Sequence, residues 1–473
     1  MQLHFIDIDT GPQQLRVVPW SETILKVSLS GPFSTGTPLS GAVVGESPGA
    51  QSRVSSTEGR SILETRDLAA ELAADNDSIV FTRNGKLVTT LQNINPALAP
   101  RAVYKPLRPE DVNVEVTSGA DGMRSTLDAV DREFDRTAYT GVLEFRTDPD
   151  EHLFGLGQHE EGHFDLRGQH QYLYQHNLKI SIPILLSSRG YAVFVDGASA
   201  MEFSDGSGAF TISCSCVDRL EFYLIFGDTF DELIDGVHFL TGRPPMLPKA
   251  LLGYVQSKER YVDQTEVLDT IREFGDRSIP LDVIVLDWRT WPEGLWGQKS
   301  LDGDRFPDPR LMIEEAHDAG VKTMLSIWPK MAGNGPDQEE FRQAGLLLGD
   351  GMTYNAFSEE AQNLYWDQLE RGAGRFGFDY WWADCSEPFE ADWYGATVGT
   401  TAERAAINVG FAEQFLDAGH ISEYSLSHIE GLHRNHSVRS GKRFGLLTRS
   451  SFPGQQRYGA ISWSGDVSGT WRV

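Results

Sequence analysis

Beyond Pro244, Pro245 and Pro248 the chain alternates short apolar runs with stretches of helical period, and that rhythm limits the fold more than any other feature. LLGYVQS, LDVIVLDW, VKTMLSIWP, FDYWWADC, FGLLTRS and YGAISWSGD read as strands. Between them, Val267, Leu268, Ile271 and Phe274 share one helical face, and RLMIEEAHDAG reads as a helix stopped at Gly320. Further helices are expected over 359–371 and 402–417. Such alternation builds a parallel sheet with helices packed on it, and repeated units favour a β/α barrel. A closed barrel of this kind takes eight strands, whereas six precede Val473. The expectation is an incomplete (β/α)8 TIM barrel over residues 246–473, a fragment without its last two units.

Residues 1–245 have a different texture. Short apolar segments such as ETILKVSLS, DSIVFTR, GVLEFRTD and AFTISCSCV are separated by turn clusters, which predicts a β-sandwich. Arg83-Asn84-Gly85-Lys86 is a hairpin signal, because Asn-Gly suits a type I′ turn. Residues 34–60, rich in Gly, Ser, Thr and Pro, read as a mobile loop. A short helix around 228–240 leads out of the sandwich.

The balance of 41 Lys+Arg against 68 Asp+Glu gives a net charge of −27, which opposes binding to nucleic acid or an anionic membrane. No run approaches the roughly 20 apolar residues of a membrane span, and the N-terminus lacks the pattern of a signal peptide. A cytoplasmic location is expected, with homo-oligomerisation left open. Cys214 and Cys216 alternate on a strand and read as small core thiols. No metal-ligand spacing, Walker loop or dinucleotide fingerprint occurs, so neither metal nor cofactor is expected.

Carboxylates stand where strands end. FDYWWADCSEP closes an aromatic, dry strand on Asp384, and YGAISWSGDVSGTW presents Asp466 after Trp463. On β/α folds the chemistry sits at the C-terminal ends of the strands. Either aspartate alone is as readily a helix cap. Together they read as a carboxylate pair, which glycosidic cleavage needs: an acid for the leaving oxygen and a carboxylate beneath the anomeric carbon. Asp287 ends strand two in LDWRTW and can hold two sugar hydroxyls, unless it pairs with Arg289. Arg449 ends strand five, either binding hydroxyls and steadying a carboxylate or forming a structural ion pair. Trp288 (or Trp291), Trp328, Trp382 and Trp463 are candidate ring surfaces of a sugar subsite, with core packing the alternative. Glu387, three residues from Asp384, reads as a supporting acid, and Arg457 as a group that orients a loop.

These motifs resemble glycoside hydrolase family 31. FGLGQHEEGHFDLRG, IVLDW, RFPDP, WWADCSEPF and TRSSFPGQQRYGAISWSGDVSGTW carry the resemblance over about residues 150–473. It implies Asp384 as nucleophile, Asp466 as general acid/base, and substrate-binding roles for Asp287 and Arg449. It also implies a galactose-mutarotase-like sandwich that sends a loop, Gln158–Gln175, to the active-site rim, with His159, Phe164 and Tyr172 as its reachable groups. The activity implied is a retaining, exo-acting α-glycosidase, metal-free, taking terminal α-linked glucose or xylose from an oligosaccharide or glycoside. An α-glucosyltransferase of the same fold and a non-catalytic sugar-binding fragment remain open alternatives.

Overall fold

The computed structural model describes residues 5–9, 13–57, 59–75, 77–112, 114–118, 123–127, 130–389, 391, 399–441 and 443–467. The close of the Tyr458–Trp471 motif falls outside them.

The N-terminal half is a sandwich of two antiparallel sheets, one of seven strands and one of ten. The first runs from Ile6–Asp9 through Leu220–Phe226 to Leu153–Gln158; the second is centred on Phe134–Arg146. Alternate side chains point into the gap, as in Gln14–Ser21, where Leu15 and Val17 are buried between exposed neighbours. They meet Phe81, Leu143, Phe145 and Phe210 of the opposite sheet in one core. The Asn84-Gly85 hairpin forms as the sequence predicts: Arg83 pairs with Lys86, and both turn residues have positive φ, 51° and 73°. Cys214 and Cys216 are both buried free thiols, one in the sandwich core and one against Val103, Ala138 and Ala418.

Residues 34–60 depart from the mobile loop expected. Arg53–Thr57 is a strand, and the preceding stretch is tied down at several points. Ser40 donates to Asp196 at 2.5 Å, Gly41 N–H to Glu423 at 2.8 Å, and Arg457 Nη1 to the Ala42 carbonyl at 3.1 Å. Composition does not reveal partners more than a hundred residues away.

Helix α1 (Phe230–Thr241), capped by Thr229, leads into the second unit. There, six parallel strands lie in chain order: Val255–Gln256, Val283–Leu286, Lys322–Ile327, Tyr380–Ala383, Leu446–Thr448 and Ala460–Ser462. They form a partial TIM barrel, called strands one to six below. Helices α2 (Gln264–Asp276), α3 (Pro309–Asp318), α4 (Pro336–Ala344), α5 (Glu359–Arg371), α6 (Thr401–Phe415) and α7 (Tyr424–Ser440) connect them. Strand one is shorter than LLGYVQS predicts, since Lys249–Leu252 is a 3-10 turn. A Cβ on Gly253 would stand 2.1 Å from an Asp282 oxygen, and Asp282 accepts the Tyr254 N–H at 2.9 Å. That carboxylate claims backbone which a longer strand would use.

Helices α4 and α7 are additional to the sequence reading. In α7 the buried face mixes Leu426, Ile429 and Leu432 with His428, Asn435 and His436, which blurs the apolar period. In α4, Phe341 is the one large apolar side chain among the buried residues.

The two units are cross-braced. Arg101 pairs with Glu413 at 2.7 Å and Arg136 with Asp417 at 2.6 Å. Gln175, 1% exposed, reaches from the sandwich into the barrel. Its amide donates to the carbonyls of Ser422 and Ser451 and accepts from Ser450 Oγ at 2.6 Å and Ser451 N–H at 2.8 Å. Among the described residues, no helix is long and apolar enough to cross a membrane.

Candidate active site

Parallel strands deliver their C-terminal ends to one face of the sheet, so residues that follow them converge. Asp287 follows strand two, Trp328 strand three, Asp384 strand four and Arg449 strand five; Asp466 lies on the loop after strand six. All five line one cavity of about 530 Å³, together with Trp288 and Trp382.

Arg449 organises the centre. Its Nη1 lies 3.6 Å from Oδ1 of Asp384 and 3.4 Å from Oδ2 of Asp466. The nearest oxygens of the two aspartates are therefore no more than about 7 Å apart. The guanidinium is fixed from behind by Glu387, with Nε to Oε1 at 2.7 Å and Nη2 to Oε2 at 3.3 Å. Arg449 is thus ion-paired with Glu387 on one side while its Nη1 faces the two acids on the other.

Asp384 is enclosed, at 7% exposure, and Oδ1 accepts the Cys385 N–H at 2.8 Å. Burial pushes its pKa up to about 6 against the pull of Arg449, with Asp466 and Glu387 adding repulsion. Asp287 is pushed further, to about 8, by burial and then by the charge of Asp384. Its Oδ1 accepts the Trp288 N–H at 2.7 Å. Arg289 lies over the Trp288 ring at 4.1 Å. Asp466, by contrast, has a side chain 58% exposed.

Four tryptophans build one wall. Trp288 and Trp328 are near-parallel with centroids 6.3 Å apart, and Trp296 meets each of them edge-on, at 5.4 and 5.3 Å. Trp291 packs against Trp296 and Trp328 behind them. Trp382, on strand four, also lines the cavity. Trp463 is not among the lining residues; it packs perpendicular to Trp382 at 4.8 Å and supports it.

The sandwich loop approaches this cavity with different groups from those named in the sequence reading. His159 is not a lining residue; it is largely enclosed, and desolvation and Lys179 push its pKa down to about 4. Phe164, 83% exposed, rests on Phe154, and Tyr172 packs on His170. The loop's contribution is Asn177, just past the expected segment. It donates from Nδ2 to Asp466 Oδ2 at 2.6 Å and accepts the Asp466 N–H on Oδ1 at 3.0 Å. Sequence reasoning also missed Ser257, Lys258, Glu259, Trp296 and Lys330, which line the cavity. Trp296 had a signal in the density of tryptophans after strand two; Ser257, Lys258 and Glu259 sit in a polar stretch without period.

Among the described residues no cluster of three or more His, Cys, Asp or Glu groups is spaced to hold a metal ion. Chemically, the site offers a buried carboxylate and a half-exposed one bridged by a cation, beside an aromatic wall.

An α-xylosidase of Saccharolobus solfataricus is 35% identical over 71% of this chain and 46% of its own length. α-Xylosidase A of Aspergillus niger is 28% identical over 70% of this chain and 49% of its own. The chain thus spans about half the length of these curated relatives. A solved family 31 α-xylosidase from a soil metagenome, complexed with xylose, superposes with a TM-score of 0.77 at 23% identity, covering 99% of this chain and 68% of that one. The glycosyl hydrolase 31 N-terminal galactose mutarotase-like domain matches residues 14–204, and the family 31 TIM-barrel domain matches residues 244–473. With both domains matched in tandem, the chain belongs to glycosyl hydrolase family 31.

Proposed function

We propose that this chain carries the donor-sugar site of a retaining, exo-acting α-glycosidase that removes terminal α-linked xylose or glucose from oligosaccharides. The observation that carries the reading is the shared cation: Arg449 Nη1 within 3.6 Å of Asp384 and 3.4 Å of Asp466. The bound of about 7 Å that this sets on their separation is compatible with two carboxyl groups flanking a glycosidic bond.

The two environments divide the labour. Asp384, held by the Cys385 N–H and Arg449, is the nucleophile that bonds to the anomeric carbon as the leaving oxygen departs. Asp466, half-exposed, gives its proton to that oxygen, then takes one from the incoming water that releases the sugar. Asp287, protonated near neutrality, donates to one sugar hydroxyl and accepts from its neighbour. Trp288 and Trp328 cover the ring's apolar face. The α-xylosidases among the relatives support a pentose donor and the α-glucosidases a hexose donor.

Covalent trapping tests the reading. A 2-deoxy-2-fluoro-α-xyloside or -glucoside inactivator, followed by peptic mapping, should add one sugar mass to the peptide bearing Asp384. Label on Asp466 or Glu387 would reverse the roles. No covalent adduct during measured turnover would rule out retention.

A further inference from the structure

We propose that Arg404, on α6, is a positioning residue for Asp466, acting through Asn177 across the boundary between the two domains. The proposal rests on Asp466 being the acid/base.

Arg404 is 3% exposed and is not among the cavity-lining residues. Its Nη1 donates to both oxygens of Glu160 at 2.9 and 2.7 Å. Its Nη2 lies 3.4 Å from the Asn177 carbonyl and 3.1 Å from His176 Nδ1. His176 Nδ1 is itself 2.6 Å from that carbonyl, a separation that needs a proton between nitrogen and oxygen. His176 therefore carries hydrogen on Nδ1 and does not accept there from Arg404, which only donates. The Asn177 carbonyl is left as the acceptor of both. Leu178, next in the chain, has φ of 76°, a left-handed backbone uncommon outside glycine. The clamp on Asn177 holds the loop in that bend.

The side chain of Asn177 is committed at both ends to Asp466, to Oδ2 and to the backbone N–H. Gly465 allows the contact: φ is 82°, and a Cβ there would lie 2.6 Å from Leu178 N and 2.7 Å from Asn177 Oδ1. Arg449 Nη1 also addresses Oδ2, at 3.4 Å. With both donors on Oδ2, the transferable proton belongs to Oδ1. Without the clamp, a carboxyl on a loop with 58% of its side chain exposed would turn between rotamers and offer its proton in the wrong direction.

The test uses the full chain with Arg404→Met, Arg404→Lys, and Glu160→Gln/Arg404→Met, the double variant leaving no unpaired carboxylate. For Arg404→Met, kcat/KM should fall by about tenfold or more on alkyl and sugar leaving groups but by less than about threefold on glycosyl fluorides, which need no proton. Arg404→Lys should recover part of the loss, and the double variant should behave like Arg404→Met. Amide hydrogen exchange of the peptide spanning Asp466 should accelerate in Arg404→Met. Equal losses on both substrate classes, or unchanged exchange at Asp466, would overturn the role of Arg404. Absence of turnover in the parent chain would count against the proposed activity, and the exchange measurement would still decide the positioning.

Discussion

Arg449 and Glu387 form a buried bidentate pair, at 4% and 3% exposure, with Nε to Oε1 at 2.7 Å. Glu387 neutralises the cation that faces the cavity and fixes where it points. Removing one partner of a buried pair costs about 3–5 kcal/mol, because the other is left uncompensated. Glu387→Ala should therefore lower stability by that order in denaturant titration. Arg449 would then turn to Asp384, and kcat should fall by about a hundredfold or more. Glu387→Gln, which keeps an acceptor, should be milder on both counts. Equal effects from the two variants would mean that charge and geometry do not matter separately.

The acid limb of activity should sit high for a carboxylate. As the proposed nucleophile, Asp384 must be ionised to attack, and burial raises its pKa to about 6. As pH falls through that value, kcat/KM should drop about tenfold per unit. A plateau extending down to pH 4 would show that another group, or an unperturbed Asp384, sets the limb.

Stability should respond to Asp287 with a definite sign. Its folded pKa is raised from 3.8 to about 8, so the folded protein binds more protons than the unfolded chain across that window. Stability contributed by this group is full below about pH 4 and is lost as pH rises toward 8. Asp287→Asn mimics the neutral carboxyl and escapes the loss. Each pKa unit is worth about 1.4 kcal/mol. The variant's melting temperature should exceed the parent's by several degrees at pH 8 and match it near pH 4. A gap independent of pH would remove Asp287 from this account.

Asp466→Ala separates protonation from attack. Turnover of poor leaving groups should fall by about two to four orders of magnitude, while glycosyl fluorides still form the covalent intermediate. Azide should then accelerate release, because it attacks without a base, and the product should be the α-glycosyl azide. A β-azide, or no response to azide, would conflict with a double displacement led by Asp384.

Where a residue's position follows from its own strand, the sequence was legible. Asp287, Trp328, Asp384 and Arg449 each follow a strand directly, and apolar runs ending in polar groups marked those ends. Asp466 was found from its Trp-Ser-Gly setting, four residues past Ser462. Asn177 was not found because its partner lies 289 positions away and its own neighbourhood, QHN after an apolar run, has no period to read. His159 illustrates the converse: a histidine in a promising motif is spent on the loop's interior. Helix α7 escaped because its buried face includes two histidines and an asparagine.

Gln175 has one further consequence. An amide side chain offers two hydrogens and two lone pairs, and here all four are met by Ser422, Ser450 and Ser451 of the barrel. A residue of one domain, itself 1% exposed, is thus completed by three of the other. Recombination that exchanges sandwiches between related enzymes would have to carry this glutamine and its serines together. A chimera that split this set would leave a buried amide without its partners, and should lose folded protein before any question of substrate arises.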